Sequence, residues 1–206
     1  MILEGQRWKA GAQRPLLLSG NDEAVVQDSF AAAVERGRCF ATTNQGTGII
    51  TQAGLSATDA ILALHNPAGS GVTGRLWYAG FLAKVAWTAA GVVWLAANTN
   101  TVAAVVTGTA AVVRNLKLGG LTDSQGQTLL ALTTATLPAA PVAICTLGVG
   151  LTAAITVQTG LLPMGRWFNG AILIQPGTTL SFQSSTASGA AASHGEFIWE
   201  EIDYVS

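Results

Sequence analysis

The acidic side chains near the carboxyl end are the residues whose type and spacing could best do chemistry. Glu196, Glu200, Glu201 and Asp203 follow one another closely in the sequence. In a strand, Glu196 would share a face with Glu200, and Glu201 with Asp203. Paired carboxylates can cleave glycosidic bonds or hold a cation. We favour instead a solvated strand end or a contact with a basic segment of a neighbouring subunit, with Glu200 and Glu201 as candidate partner-binding residues.

The other reactive residue types do not form a site in the sequence. The histidines, His65 and His194, lack Cys, Asp or Glu at metal-ligand spacing, and each is expected to hydrogen-bond at a strand end or in a loop. Ser70, between two glycines, could be a nucleophile, but serine is common in turns for backbone reasons. Cys39 and Cys145 are isolated, which predicts small core residues rather than a disulfide framework. We therefore predict no enzymatic activity, no metal and no cofactor.

The tryptophans offer a different chemistry, because their rings can stack on sugars or pack at interfaces. The chain has six of them: Trp8, Trp77, Trp87, Trp94, Trp167 and Trp199. Most fall inside predicted strands, which favours packing in the core or between subunits. Trp167 and Phe168 follow Gly165-Arg166 and are the pair for which we predict a surface role.

The composition limits the classes of function. The net charge is −1, so no nucleic-acid partner is expected, and only 10% of residues are charged while 50% are hydrophobic. Soluble domains have about 25% charged residues. Such a chain enters a membrane or covers much of its surface with other subunits. The apolar stretches at 79–97 and 124–165 are interrupted by Lys, Gly or Pro, so we predict neither a membrane span nor, from the amino-terminal residues, a secretory signal.

Residues 1–50 are predicted to form an amino-terminal arm with one short helix. The first twenty residues have no hydrophobic period and contain Gly and Pro, which is typical of an extended arm or of a frayed terminus. A helix is predicted between Glu23 and Phe40, beginning near Asp28-Ser29 and ending at Gly37. The stretch 41–54 is expected to be a linker or an edge segment. The candidate partner-binding residues of the arm are Arg7, Trp8, Lys9 and Arg14.

Residues 51–206 are predicted to form one all-β domain, an antiparallel jelly-roll-like β-sandwich. The stretch 61–80 indicates a β-hairpin, because Pro67 ends the first strand and Gly69 and Gly71 permit a reversal. The predicted strands are Ala60–His65, Arg75–Thr88, Val92–Ala97, Thr101–Val106, Ala111–Leu116, Gln127–Thr136, Pro141–Leu147, Ala153–Gln158, Ala171–Gln175, Thr179–Gln183 and Glu196–Ile202.

The strand Arg75–Thr88 shows a legible alternation of large side chains. One face is predicted to carry Trp77, Phe81, Val85 and Trp87, and the other Leu76, Tyr78, Leu82 and Lys84. Neither set is properly polar, so both faces are expected to be largely covered.

Three short motifs together resemble those of a diffuse group of tailed-phage virion proteins. They are Asn66-Pro67-Ala68-Gly69-Ser70-Gly71, Pro176-Gly177-Thr178-Thr179-Leu180 and Trp199-Glu200-Glu201-Ile202. The resemblance covers roughly residues 20 to 206 as an order of motifs, and residues 116–165 have no counterpart in it. It implies a jelly-roll-like sandwich without catalytic residues, acting as a capsid decoration or cement subunit, often a trimer.

The function expected from these observations is structural. The chain is predicted to be a bacteriophage virion protein on the capsid surface that forms a homo-oligomer, expected as a trimer, and stabilises the lattice of the major capsid protein. The alternative is a carbohydrate-binding jelly-roll module that recognises the host from a tail or head fibre. Neither hypothesis involves nucleic acid or a membrane.

Overall fold

The computed structural model of this 206-residue chain describes residues 29–46, 48–83, 87, 89–99, 106–119, 127–150, 164–188 and 193–204. The chain divides into two compact units, residues 1–32 and 33–206, and all described strands lie in the second. The predicted arm residues Arg7, Trp8, Lys9 and Arg14 lie outside the described residues. The predicted strand at 153–158 and most of that at 101–106 also lie outside them.

One short helix, α1 (Ser29–Glu35), occurs where the sequence predicts it. Gly37 has a φ of 71°, and its N–H donates a hydrogen bond of 2.9 Å to the carbonyl of Val34. A glycine in the left-handed conformation is a common way to close a helix, so the predicted stop at Gly37 is confirmed. No helix in the described part of the chain has the length and apolar character needed to cross a membrane.

Eleven strands follow in the described residues. They are β1 (Cys39–Thr43), β2 (Ala60–His65), β3 (Val72–Ala83), β4 (Gly91–Asn98), β5 (Thr107–Ala110), β6 (Val113–Asn115), β7 (Leu130–Thr136), β8 (Val142–Gly150), β9 (Met164–Ile174), β10 (Thr179–Ser184) and β11 (Ser193–Asp203).

The strands form two antiparallel sheets. One has five strands in the order β6-β1-β11-β3-β9, and the other has six in the order β5-β7-β2-β10-β4-β8. The pairs β1–β11, β2–β10, β3–β9 and β4–β8 are nested, so that the first strand lies beside the last. This wrapping is a jelly roll, and β5, β6 and β7 extend the sheets as an insertion between β4 and β8. The predicted antiparallel β-sandwich is confirmed.

Large apolar side chains from both sheets fill the space between them. The ring of Phe182 on β10 stacks on that of Phe197 on β11, with centroids 4.5 Å apart, and Phe40 contacts Trp199 at 5.8 Å. These rings lie on strands of opposite sheets or on neighbouring strands. Burial of such rings is the main term that holds a sandwich together, at about 2–3 kcal/mol for each fully buried side chain.

The predicted hairpin at 61–80 is wrong, although its turn chemistry is correct. Gly69 and Gly71 have φ values of 76° and 74°, but the loop 66–71 carries the chain from β2 in one sheet to β3 in the other. Buried Asn66 fixes this crossing, because its Nδ2 donates to the carbonyl of Ile174 at 2.8 Å. Its own carbonyl accepts from the N–H of Gly177 at 2.8 Å. Two of the three motifs behind the resemblance therefore lie side by side.

The predicted alternation in β3 is also partly wrong, because the strand contains a bulge. Ile198 of β11 lies opposite Tyr78, and the next residue, Trp199, lies opposite Leu76, so Trp77 is an extra residue. A bulge shifts every later side chain to the other face. Leu76 therefore points into the core with Phe81, while Tyr78 and Leu82 lie on the outer face.

The sandwich begins earlier in the sequence than predicted. β1 lies within the stretch assigned to the arm and overlaps the predicted linker, yet it pairs with β6 on one side and β11 on the other. Its sequence, Cys-Phe-Ala-Thr-Thr, lacks a clear alternation of large apolar and polar residues, so no strand was predicted there. Its partner strands also come from distant parts of the chain. The boundary after residue 50 therefore does not separate the sandwich from the residues that precede it.

Candidate functional site

The two glutamates predicted to bind a partner are buried within the subunit. Glu200 is 6% exposed and Glu201 7%, because β11 continues beyond them to Asp203 as a central strand. An Oε2 of Glu200 lies 3.8 Å from the Arg75 guanidinium. The hypothesis of a solvated strand end is therefore wrong for this pair, and both carboxylates have partners inside the fold.

The carboxylate of Glu201 joins the two sheets. It accepts hydrogen bonds from the backbone N–H groups of Thr128 and Leu129, which precede β7, at 2.8 and 2.9 Å. Its Oε1 also accepts from Nε1 of Trp199 at 3.1 Å. These donors satisfy the buried carboxylate and hold Thr128 and Leu129 against β11, so this contact is structural.

Glu196 differs from these two neighbours on the same strand. It lies between Thr43 of β1 and Gly80 of β3 in the register of the sheet. No basic side chain in the described part of the chain forms an ion pair with it. Although the residue as a whole is exposed, the neighbouring strands desolvate its carboxylate enough to raise its pKa above the ordinary value for glutamate. Glu196 is therefore the one β11 glutamate whose charge is not compensated by a described residue.

The ring of Tyr78 lies across two glycines beside Glu196. Gly80 of β3 is opposite Gly165 of β9, and a Cβ added to Gly80 would lie 2.7 Å from Cε1 of Tyr78. Because the glycines have no side chains, the ring packs directly against their backbone. Burial raises the pKa of Tyr78, and the nearby charge of Glu196 raises it further.

This arrangement leaves a hollow of about 190 Å³ on the outer face of the five-stranded sheet, which we call the Tyr78 hollow. Glu196 and His194 line it on the β11 side, and Tyr78 and Leu82 on the β3 side. Nδ1 of His194 lies 3.0 Å from the carbonyl oxygen of Asn44. A carbonyl can only accept, so Nδ1 carries the hydrogen, and Nε2 of the neutral ring is an acceptor. The lining residues are Thr43, Tyr78, Gly80, Phe81, Leu82, His194, Gly195 and Glu196.

Trp167 lies next to the hollow, as the prediction of a surface role requires. It is 52% exposed, and its ring centroid is 5.2 Å from that of Tyr78, with 50° between the planes. Phe168 is different, because it is partly buried against the core and the Arg166 guanidinium lies 5.5 Å from its ring centroid. The predicted pair is therefore divided between surface and core.

A second surface lies where the two sheets meet at one side of the sandwich. β8 and β9 are the last strands of their sheets, and the side chain of Met164 lies over Gly148. The nine residues of β8 and eleven residues of β9 include one charged side chain, that of Arg166. We call this surface the uncharged side. Its exposed large apolar residues are Val142, Ile144, Val149, Trp167 and Leu173.

The remaining sequence candidates are not brought together. His65 on β2 contacts Thr179 through Nδ1 at 2.8 Å, in a different sheet from His194. The hydroxyl of Ser70 lies 3.4 Å from the N–H of Val72, a turn contact. Within the described residues, no group of three or more His, Cys, Asp or Glu is placed to hold a metal ion.

Both cysteines are free. Burial and then the charge of Glu200 raise the pKa of the Cys39 thiol from 9.0 to about 12, so it stays protonated. Burial raises the pKa of Cys145 as well, against smaller opposing effects of Arg166 and a backbone hydrogen bond from Leu95. A protonated thiol is a poor nucleophile, which agrees with the interpretation of both as packing residues.

Sequence reasoning missed the Tyr78 hollow, although a signal for it exists. Gly80 and Gly165 each interrupt a run of large apolar residues, and an isolated glycine in a strand often marks a close approach of another group. That these glycines are opposite each other, beneath one ring, depends on the pairing of β3 with β9 across more than eighty residues.

Comparison with known proteins gives no relative for this chain. No protein-family model matches it, and no curated protein and no solved structure does so.

Proposed function

We propose that the protein is a non-enzymatic structural subunit of a bacteriophage virion, a decoration or cement protein that self-associates and binds the major capsid protein. The observation that carries the proposal is the uncharged side formed by β8 and β9. Natural edge strands usually bear Lys, Glu or Pro, which prevent unwanted association. Two long edges with a single charge are suited to be covered by another protein.

The details of this surface support contact through side chains. Two register shifts interrupt the pairing of β8 with β4, so the strand is irregular along its length. Bulges hinder the addition of a further strand. The apolar side chains of Val142 and Ile144 remain exposed and can pack against a symmetry-related copy. A closed ring of three copies, the arrangement implied by the resemblance, would cover this side in every subunit.

The jelly-roll wrapping is compatible with the proposal, because viral capsid proteins use it widely. Lectins use it too, and fold alone does not decide between these functions. Exposure of Trp167 beside Tyr78 keeps glycan binding as the second candidate, since exposed aromatic rings can stack on sugars.

Sedimentation with capsids tests the proposal. The purified chain is mixed with mature, expanded capsids of a phage that encodes it and with unexpanded shells as a control. We expect the protein to sediment with the expanded capsids at a fixed ratio to the major capsid protein. Protein that stays in the supernatant at every concentration would overturn the virion proposal.

A further inference from the structure

The three glutamates of β11 differ in how their charges are balanced. Glu200 has the Arg75 guanidinium at 3.8 Å, and Glu201 has three N–H donors. Glu196 has neither kind of partner in the described residues, and its side chain is exposed at the Tyr78 hollow. A carboxylate with no cation inside the subunit can form a charge-assisted hydrogen bond with a cation supplied from outside.

Each polar side chain that lines the Tyr78 hollow can accept a hydrogen bond. The carboxylate of Glu196 only accepts, and when the His194 ring is neutral its Nε2 also accepts, because Nδ1 donates to the carbonyl of Asn44. The hydroxyls of Thr43 and Tyr78 can do either. A ligand that matches this set is rich in donors and has few acceptors of its own.

The number of hydrogen-bond donors and acceptors in a ligand distinguishes cationic side chains from sugars. A lysine ammonium has three donors and an arginine guanidinium has five, and neither has an acceptor. Sugar hydroxyls both donate and accept, so a glycan site usually offers donors as well. The ring of Tyr78, held over Gly80 and Gly165, adds an aromatic surface to which a cation is attracted.

From this geometry we propose that the Tyr78 hollow binds a lysine or arginine side chain presented by the protein partner. The identification of that partner as the capsid protein rests on the proposed function. The proposal that the hollow binds a cationic side chain rests on the arrangement of Glu196, His194 and Tyr78. Its volume of about 190 Å³ and its position on an outer sheet face suit the end of one long side chain that enters from a neighbouring molecule.

The direct test is a titration of the full chain followed by amide shifts in NMR spectra. The probes are Nα-acetyl-arginine amide and Nα-acetyl-lysine amide, with Nα-acetyl-citrulline amide as a neutral isostere and methyl glucoside as a sugar probe. We expect the cationic probes to shift the amides of β3 and β11 around the hollow. Glu196→Gln should weaken this binding by about tenfold or more, because a hydrogen-bonded charge contact is lost.

Asp203→Asn is the matched control, since Asp203 is an exposed acid on the same strand outside the hollow, and its binding should equal that of the wild type. The proposal would be overturned if the citrulline probe bound as tightly as the arginine probe, if Glu196→Gln bound the cationic probes as tightly as the wild type, or if only methyl glucoside shifted these amides.

Capsid sedimentation separates the proposed function from the proposed role of the hollow. A wild-type protein that does not bind capsids would contradict the proposed function. If Glu196→Gln binds capsids as well as the wild type does, only the role of the hollow in that contact is contradicted.

Discussion

Glu196, Glu200 and Glu201 lie on one strand and have the same chemistry, but their surroundings give them different roles. Glu200 forms an ion pair with a partly exposed arginine, whereas Glu201 fastens the segment before β7 to β11. Glu196 borders a hollow in which His194 can accept a hydrogen bond and the hydroxyls of Thr43 and Tyr78 can accept or donate. The sequence shows the cluster, and the identity of the neighbouring strands, together with the bulge at Trp77 of β3, assigns each member its surroundings.

The raised pKa of Glu196 predicts how the stability of the folded chain depends on pH. Because folding raises the pKa of Glu196, its protonated form is favoured in the folded chain. The stabilising contribution of that proton is fully present below the ordinary pKa of 4.5 and is lost as the pH rises through the raised pKa. Glu196→Gln, which cannot ionise, should therefore be more stable than the wild type at about pH 7.5 and should lose this advantage near pH 4.

Urea denaturation at the two pH values measures this difference. Tyr78 interacts with Glu196, but its pKa is raised above the ordinary value of 10.0, so its phenol stays protonated at both pH values. A wild type that is more stable than Glu196→Gln near neutral pH would show that the carboxylate has a favourable partner within the chain.

At the scale of elements, the carboxylate of Glu201 connects the segment before β7 to β11 through hydrogen bonds. Glu201→Ala removes the acceptor for two backbone N–H groups and for Trp199 Nε1. Leaving these buried donors without a partner should lower the free energy of unfolding by about 3 kcal/mol. Glu201→Gln keeps one acceptor oxygen and should lose less. Urea unfolding monitored by tryptophan fluorescence checks this, and equal losses in both variants would contradict the assigned role.

The elements also show which features can be predicted from a sequence. The bounds of β2, the turn glycines Gly69 and Gly71 and the end of α1 follow from local chemistry, and each was predicted. The crossing of the loop 66–71 between sheets was not, because Asn66 takes its partners from Ile174 and Gly177, more than one hundred residues away. Local patterns fix where a strand ends, while distant partners decide which sheet it joins.

In the candidate site too, some features follow from the local sequence and others depend on distant strands. Exposure of Trp167 was predicted from its position after Gly165-Arg166, but Tyr78 was assigned to a covered face together with Leu76. A bulge of one residue at Trp77 changes that assignment. The hollow needs Gly80, Gly165 and Glu196 on three neighbouring strands, and no short stretch of sequence contains that arrangement.

At the scale of the whole molecule, a jelly roll with little charge has one side that lacks the usual protection of sheet edges. The composition predicted that such a chain covers much of its surface with other subunits. We propose that the uncharged side is the surface that other subunits cover. Self-association is therefore the central claim about this protein.

The molar mass of the chain in solution, measured by light scattering during gel filtration, tests that claim most directly. We expect a stable oligomer, with three times the 21.0 kDa of one chain as the predicted mass. Val142→Lys places a charge at the most exposed apolar position of β8 and should give a folded monomer. Thr109→Lys, on the exposed edge strand β5, should leave the oligomer intact. A wild-type chain that elutes as a monomer at every concentration would contradict the account.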